Sequence, residues 1–214
     1  MKENKYPYLI GITGSFGTGK STVGNIIAEF DKNVLIIDAD DVVREILSSK
    51  NNVTDALVQR FGKNILLNDG DYISRKVLAE CIFTNPENRT FTESLIHPEV
   101  IKILKNCISI SQDKPIIVIL VPLLHEAKME KLFDEIWCVI CDESVQFQRL
   151  IKKGFTTDEI TRRVTAQISQ SEKVKLAGFI IDNSGDLEKT KDQIIKKLSS
   201  MVQLNHSHHF SSDT

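Results

Sequence analysis

The sequence predicts an α/β fold in three layers (α/β/α), with a parallel sheet of about five strands, a helical insertion and a helical lid. Short apolar runs of strand length alternate with segments of helical periodicity along most of the chain. A glycine-rich loop joins the first apolar run to the first helical segment. Only one long stretch, between the second and third apolar runs, shows helical patterns and no convincing strand.

The composition is ordinary for a globular protein. Of its 214 residues, 41% are hydrophobic and 26% are charged, and the formal net charge is −2. This balance produces no overall field that would attract nucleic acid or an anionic membrane. No apolar run has the length of a membrane span, and the first residues lack the apolar core of a signal peptide. We therefore expect a cytoplasmic protein, a monomer or small homo-oligomer, with no nucleic-acid or membrane partner.

The first strand, at about 8–13, leads into the run GSFGTGKST at 14–22. This run satisfies the phosphate-loop pattern G-x-x-x-x-G-K-[ST] of the P-loop NTPases, and a strand before it and a helix after it are the required context. The glycines let main-chain N–H groups approach an anion at the positive end of the helix. Lys20 can reach the β- and γ-phosphates, and the Ser21 hydroxyl can hold Mg²⁺. The predicted nucleotide-binding residues are Gly14, Gly17, Thr18, Gly19, Lys20, Ser21 and Thr22.

A helix at about 20–30 and a short buried strand at 34–37 follow, and this strand ends in Asp38-Ala39-Asp40-Asp41. In open parallel sheets, residues at the carboxyl ends of strands line the ligand crevice. Asp38 or Asp40 is expected to cap the next helix, but capping alone does not explain three carboxylates. These side chains are therefore candidates for chemistry on the partner of the nucleotide.

The stretch at about 49–113 reads as a helical insertion. A helix that stops at Gly62 is followed by a turn signal at 68–71 and by two or three amphipathic helices. Most of its charges would form a solvated face. A helical subdomain opposite a phosphate loop is nevertheless where a kinase would hold its acceptor, and Arg75 and His97 lie in it.

The remaining strands are predicted at 115–122, 136–141 and 179–182. Two basic helices, at about 144–153 and 157–169, could close over phosphates as a lid, and a plain surface hairpin is an equally good interpretation. A last helix at 186–201 precedes a polar segment at 203–214, which we expect to be disordered. The predicted organisation is a P-loop core at 1–48 and 114–202, an acceptor subdomain at 49–113, a lid at 146–172 and a disordered tail at 203–214.

Cys138 and Cys141 match C-x-x-C, which can indicate a redox or zinc site. They lie in a strand, where residues three apart point to opposite faces, so core cysteines are the better interpretation.

Other motifs narrow the class of phosphate-loop protein. The third strand ends in Leu120-Val121-Pro122-Leu123 and not in D-x-x-G, and no [NT]-K-x-D occurs, so a GTPase switch is disfavoured. A small-molecule kinase remains. A nucleoside or nucleotide kinase of the same fold and a non-catalytic nucleotide-binding regulator are the alternatives, and an acceptor panel would separate them from the interpretation that follows.

The motifs resemble those of the dephospho-coenzyme A kinase family, which makes coenzyme A in its last biosynthetic step. The resemblance spans about 9–201, and the segments after the phosphate loop are more specific than the loop itself. The matching segments are 11–23, Ile37-Asp38-Ala39-Asp40, Arg60-Phe61-Gly62, Arg75, His97-Pro98, Val121-Pro122-Leu123-Leu124, 163–167 and Ile181-Asp182-Asn183.

The resemblance implies transfer of the ATP γ-phosphoryl to the ribose 3′-hydroxyl of dephospho-CoA, with Mg²⁺. It places Asp40 at the acceptor hydroxyl, with Asp38 orienting the turn or binding Mg²⁺ through water. Lys20 and the lid cations would neutralise the transferring group, and Arg75 and His97 would belong to the acceptor site. The implied lid cations are Arg149 and Arg163, and Asn183 is expected near the adenine of ATP.

Three positions depart from the family pattern. Leu120 replaces an Asp that many relatives have, which leaves Asp38, Asp40 and Ser21 as the candidate metal ligands. His125 stands where an apolar or aromatic residue is usual. Lys152-Lys153-Gly154 replaces a segment in which relatives commonly carry Arg, and Lys lacks the planar Arg fork that grips phosphate.

Overall fold

The computed structural model describes residues 7–67, 70 and 72–207. Residues 68, 69 and 71 of the predicted turn and residues 208–214 of the predicted tail lie outside this part of the chain.

Five parallel strands form one sheet in the order β2-β3-β1-β4-β5. Strand β1 lies at the centre, with Ile10 opposite Val118 of β3 on one side and opposite Glu135 of β4 on the other. Because all strands run in the same direction, their carboxyl ends meet at one edge of the sheet. The predicted five-stranded parallel sheet is confirmed. The strands are β1 Tyr8–Thr13, β2 Leu35–Asp38, β3 Ile116–Leu120, β4 Glu135–Ile140 and β5 Phe179–Asp182.

Helices cover both faces of the sheet. The helices are α1 Lys20–Phe30, α2 Ala39–Leu47, α3 Asn52–Phe61, α4 Arg75–Thr84, α5 Pro86–Ile110, α6 Glu143–Lys152, α7 Thr157–Thr165, α8 Gln170–Lys175 and α9 Leu187–Ser207. On one face, α1 and α9 bury Ile27 and Ile194 against Ile10, Val118 and neighbouring strand residues. The opposite face is covered by α2 to α5.

The insertion between β2 and β3 shares its core with the sheet. Leu57 of α3 and Leu104 of α5 are fully buried in the same cluster as Ile117 and Ile119 of β3. Alternate residues of β3 therefore serve the two faces, as the pleat of a strand requires. This shared core holds the insertion on the face of the sheet opposite α1 and α9.

Helix α5 passes through His97-Pro98, although a proline often marks the start of a helix. It begins much earlier, where the Asn85 side chain accepts hydrogen bonds from the N–H groups of Glu87 and Asn88 and Pro86 occupies the first turn. Pro98 lies in its interior and cannot donate the usual backbone hydrogen bond. The helix nevertheless continues, because the flanking Ile96 and Val100 are both buried.

Two predicted boundaries on the carboxyl side are wrong. The second lid helix ends at Thr165, not near 169, because the Ser169 side chain accepts a hydrogen bond from Glu172 N–H and caps α8. The last helix continues to Ser207, so residues 203–207 of the predicted disordered tail are helical. No Gly or Pro interrupts this segment, and Gln and Leu favour a helix.

Cys138 and Cys141 are free thiols with almost no exposed surface, in agreement with core cysteines. Within the described residues, no helix combines the length and the apolar character that crossing a bilayer requires.

Candidate active site

The phosphate loop, residues 14–19, connects the end of β1 to the start of α1. Gly14 has φ 147° and Gly19 has φ 101°, values that residues with a side chain rarely adopt. Space is short as well: a Cβ on Gly14 would lie 2.3 Å from the Val139 carbonyl oxygen, and one on Gly19 would lie 2.1 Å from Asn183 Nδ2. The backbone of the loop is thus packed directly against the ends of β4 and β5, and only glycine fits at these two positions.

Lys20 lies across the loop. Its Nζ donates to the carbonyl oxygens of Gly14 at 2.9 Å and Ser15 at 3.1 Å. Burial lowers the pKa of Lys20 to about 8, although the nearby carboxylates of Asp40 and Asp38 act in the opposite direction. The loop therefore holds a partly desolvated cation, whose interaction with a phosphate would be stronger than at an exposed position.

The other predicted nucleotide-binding side chains divide into two groups. Thr18 is buried, and its hydroxyl donates to the Ser15 carbonyl oxygen at 3.0 Å, so this side chain stabilises the loop. Ser21 is exposed in the first turn of α1. Among the described residues, no cluster of three or more His, Cys, Asp or Glu side chains could hold a metal ion. Mg²⁺ in kinases is held largely by phosphates and water with one or two protein ligands, and an exposed Ser21 hydroxyl fits that pattern.

The acidic turn after β2 contains three carboxylates with three different environments. Asp38 caps α2 by accepting a hydrogen bond from Asp40 N–H at 2.9 Å, and burial raises its pKa. Asp41 is exposed and pairs with Arg44. Asp40 is exposed at the mouth of the cleft described next. Capping thus accounts for Asp38 and a surface ion pair for Asp41, and Asp40 is left facing the site.

A cleft lies between the acidic turn, the insertion and α7. It consists of two adjoining cavities of about 550 and 340 Å³. Phe16 of the phosphate loop and Lys20 at the start of α1 line the smaller one, and Arg162 of α7 lines the larger one. Lys20, Asp40, Arg75, His97 and Arg163 therefore come together in one cleft, although they are spread over most of the sequence. The residues common to both cavities are Asp40, Val43, Arg75, Ile82, Thr92, Ile96 and Arg163.

The cleft has a charged and an apolar part. Arg89 contacts Glu93 at 2.7 Å within the smaller cavity, whose lining also includes His97 and the apolar Val100, Leu123 and Met129. Burial is the main cause that lowers the pKa of His97, with Glu93 acting in the opposite direction. The site can thus hold a ligand that carries both anionic and apolar groups.

Arg149 and Asn183 do not line this cleft. Arg149 donates to the Asn183 carbonyl oxygen at 2.8 Å, close to Cys141. The Asn183 side chain is buried, donates to the Thr18 carbonyl oxygen at 2.8 Å and accepts from the Thr190 hydroxyl at 3.1 Å. In this structure both residues support the back of the phosphate loop. The roles predicted for them at the transferring phosphate and the adenine stay predictions.

The three departures from the family pattern lie in different surroundings. Leu120 is buried in the core beneath α1, close to Gly24. His125 is buried, and its Nδ1 lies 2.9 Å from Glu130 Oε1, so its contact lies within the turn after β3. Lys152 and Lys153 are exposed at the end of α6.

The sequence predicts no role for four polar residues, Lys173, Glu126, Gln146 and Gln167. Lys173 is fully buried, donates to the Pro122 carbonyl oxygen at 2.6 Å and lies 3.3 Å from Glu126. Gln146 and Gln167 both hydrogen-bond to the backbone of Phe16. No local pattern signals such residues, because each partner is distant in sequence.

Comparisons with known proteins identify the family. A sequence model described as dephospho-CoA kinase matches residues 8–189. The dephospho-CoA kinase of Carboxydothermus hydrogenoformans is 43% identical over 190 residues, which cover 87% of this chain and 91% of that one. A crystal structure of a Thermus thermophilus protein, 26% identical, aligns with a TM-score of 0.77 over 92% of this chain and 98% of the other. The dephospho-CoA kinase from Campylobacter jejuni, 24% identical with the same coverage, has the same fold with a TM-score of 0.66. The chain belongs to the dephospho-CoA kinase family.

Proposed function

We propose that this protein is an ATP-dependent kinase that transfers the γ-phosphoryl group of ATP to the ribose 3′-hydroxyl of dephospho-CoA, which yields coenzyme A. One observation carries the proposal beyond family membership. The cation Lys20, at the start of α1, and the carboxylate Asp40, in the first turn of α2, line the same cavity. A phosphoryl donor on the loop and a hydroxyl at Asp40 would thus meet in one site.

In the proposed reaction, the acceptor hydroxyl oxygen forms a bond to the γ-phosphorus and the bond from that phosphorus to the β,γ-bridging oxygen breaks. ADP leaves with the electron pair of the broken bond. Asp40 orients the hydroxyl and accepts its proton, and Lys20 offsets the negative charge on the transferring group. Positioning and charge stabilisation supply most of the catalysis in such transfers. Mg²⁺, held by Ser21 and through water by Asp38, would supply charge neutralisation at the phosphates.

The cleft supports dephospho-CoA as the acceptor. Arg75, Arg162 and Arg163 supply cations for the diphosphate of this ligand. The apolar wall of the smaller cavity, with Val100, Leu123 and Met129, suits the less polar parts of the acceptor. His97 lines the same cavity and offers a hydrogen bond to the acceptor. An acceptor without an apolar extension would leave this wall uncovered.

The division into parts belongs to the same proposal. We infer that the P-loop core at 1–48 and 114–202 binds ATP, that the insertion at 49–113 holds the acceptor and that 146–172 acts as a lid with Arg149 and Arg163. The position of α7 beside the cleft, with Arg162 and Arg163 in its lining, supports a lid. A place in the cytoplasm, where ATP is available, is part of the proposal.

The test is ADP release with Mg²⁺-ATP, with and without dephospho-CoA, with the product checked by mass for one added phosphate. Acceptor-dependent release with coenzyme A as product is the expected result. A panel of nucleosides and nucleoside monophosphates serves as the control. Faster turnover on any of these than on dephospho-CoA, or ATP binding without turnover on any acceptor, would overturn the proposal.

A further inference from the structure

The tip of the phosphate loop is held by two glutamines from outside the loop. Gln167 Oε1 accepts a hydrogen bond from Phe16 N–H at 3.0 Å, and Gln146 Nε2 donates to the Phe16 carbonyl oxygen at 2.5 Å. Gln146 is buried, so water does not compete freely for its bond. Both polar groups of one loop residue are therefore satisfied by side chains more than 100 residues away in sequence.

These bonds act on the residue that directly precedes a glycine of the loop. Gly17, which follows Phe16, has φ 86° and no side chain to restrain it. In a trans peptide the carbonyl and the next N–H point in opposite directions, so fixing the Phe16 carbonyl also fixes the direction of the Gly17 N–H. The two glutamines together thus set the orientation of the peptides on both sides of Phe16.

The two glutamines belong to different parts of the lid region. Gln146 lies on α6, which packs directly on the loop: a Cβ on Gly17 would lie 2.8 Å from the Leu150 side chain. Gln167 follows α7, and its neighbour Ile168 donates through its N–H to Glu126 Oε1 at 3.0 Å. Gln146 therefore holds Phe16 from the helix that packs on the loop, and Gln167 holds it from the segment that follows α7.

The Phe16 ring contacts the same region. It meets the Phe155 ring edge to face, with 5.1 Å between centroids. The Arg163 guanidinium lies 4.9 Å from the Phe16 centroid and 4.8 Å from the Phe155 centroid. Because Arg163 also lines both cavities of the cleft, Phe16 connects the phosphate loop, of which it is part, with the side of the cleft formed by α7.

We propose that Gln146 and Gln167 are positioning residues that clamp the Phe16 peptides and couple the order of the phosphate loop to the lid. The kinetic part of this inference rests on the proposed function, since it requires that the loop bind ATP. Neutral amides suit the task, because they hold the backbone without placing a charge beside a triphosphate. Loss of the clamp leaves a loop that must be ordered by ATP itself, which weakens ATP binding.

The opposite polarity of the two bonds provides the test. Gln167 acts as an acceptor, so Gln167→Glu keeps the bond and Gln167→Met removes it. Gln146 acts as a donor, so both Gln146→Glu and Gln146→Met remove it. We expect faster amide hydrogen exchange at 14–19 in nucleotide-free Gln146→Glu, Gln146→Met and Gln167→Met, and near wild-type exchange in Gln167→Glu. The KM for ATP should rise on the order of threefold to tenfold in the two Met variants, as for the loss of one hydrogen bond.

Gln112→Met is the matched control. Gln112 donates one hydrogen bond to the Ile108 carbonyl oxygen and precedes β3, at the end of the sheet opposite the loop. This variant should have wild-type exchange and kinetics. Equal exchange in the two Glu variants, or wild-type exchange in both Met variants, would overturn the clamp.

Wild-type protein in the same series separates the two proposals. If it binds ATP without acceptor-dependent ADP release, the proposed function fails, and exchange at 14–19 together with the Kd for ATP still decides the clamp. If the Gln146 variants do not fold, the comparison of Gln167→Glu with Gln167→Met decides it.

Discussion

The phosphate loop and the acceptor cleft meet at Lys20 and Asp40, but they are built in different ways. The loop is one continuous segment whose shape depends on glycines at fixed spacing and on short-range bonds such as Thr18 to Ser15. The cleft takes its lining from α2, α4, α5, α7, the segment after β3 and the loop itself. A site formed by consecutive residues can therefore be predicted from the sequence, whereas a site assembled from several helices depends on how those helices pack.

The largest expected effect is at Asp40, where the two regions meet. Asp40→Asn should keep ATP binding and lower kcat on dephospho-CoA by about 10³-fold, because the acceptor hydroxyl loses its proton acceptor. Steady-state kinetics and ATP titration measure the two quantities. Asp41→Asn is the matched control, since Asp41 is the next residue and pairs with Arg44 at the surface. Unchanged turnover in Asp40→Asn would remove Asp40 from the chemistry and break the link between the loop and the cleft.

The next effect tests how far the assembled site depends on one buried ion pair. Lys173→Met leaves Glu126 buried without its cation, and we expect a loss of about 3 kcal/mol in the free energy of unfolding. The double variant with Glu126→Gln should recover part of this loss, because no uncompensated charge remains. Denaturant unfolding measures both.

Lys175→Met on the same helix is the control for this pair, because Lys175 is exposed. A loss in Lys173→Met no larger than in Lys175→Met would show that the buried pair does not stabilise the junction of α8 with the turn after β3.

The smallest expected effect is the pH dependence of ATP affinity, which reports on Lys20 at the phosphate loop. With the pKa of Lys20 lowered to about 8, the ATP affinity should fall roughly fivefold between pH 8 and pH 9, as the protonated fraction of Lys20 falls. Lys20→Arg should show no such dependence, because Arg stays charged. A flat wild-type profile in ATP titrations would contradict the assignment.

The lowered pKa of Lys20 affects stability in the opposite direction: ATP affinity falls with rising pH, whereas the free energy of unfolding rises. The unfolded chain keeps this proton up to about pH 10.5, whereas the folded chain releases it near pH 8. The unfolded state therefore binds more protons in this window, and the contribution of Lys20 to the free energy of unfolding rises with pH between 8 and 10.5. Unfolding of nucleotide-free wild type and Lys20→Met across this range measures the difference.

Much of the fold could be predicted because its signals are local. Apolar runs marked the strands of the sheet, and β1, α1 and β5 begin and end at the predicted residues. The start of α5 and the end of α7 could be predicted less accurately than these boundaries. In α5, burial on both sides of Pro98 outweighs the hydrogen bond that Pro98 cannot make, and that burial is a property of the packed protein.

The candidate site divides in the same way. The sequence by itself determined the phosphate loop, the order of the strands along the chain and the acidic turn at Asp38 and Asp40, because backbone angles, strand patterns and helix caps depend on neighbouring residues. Only the tertiary structure decided that Arg149 and Asn183 lie behind the loop, that Arg75 and Arg163 share a cleft, and that Gln146 and Gln167 hold Phe16. The physical reason is that these contacts join residues far apart in sequence, and their free energy depends on packing that no local pattern records.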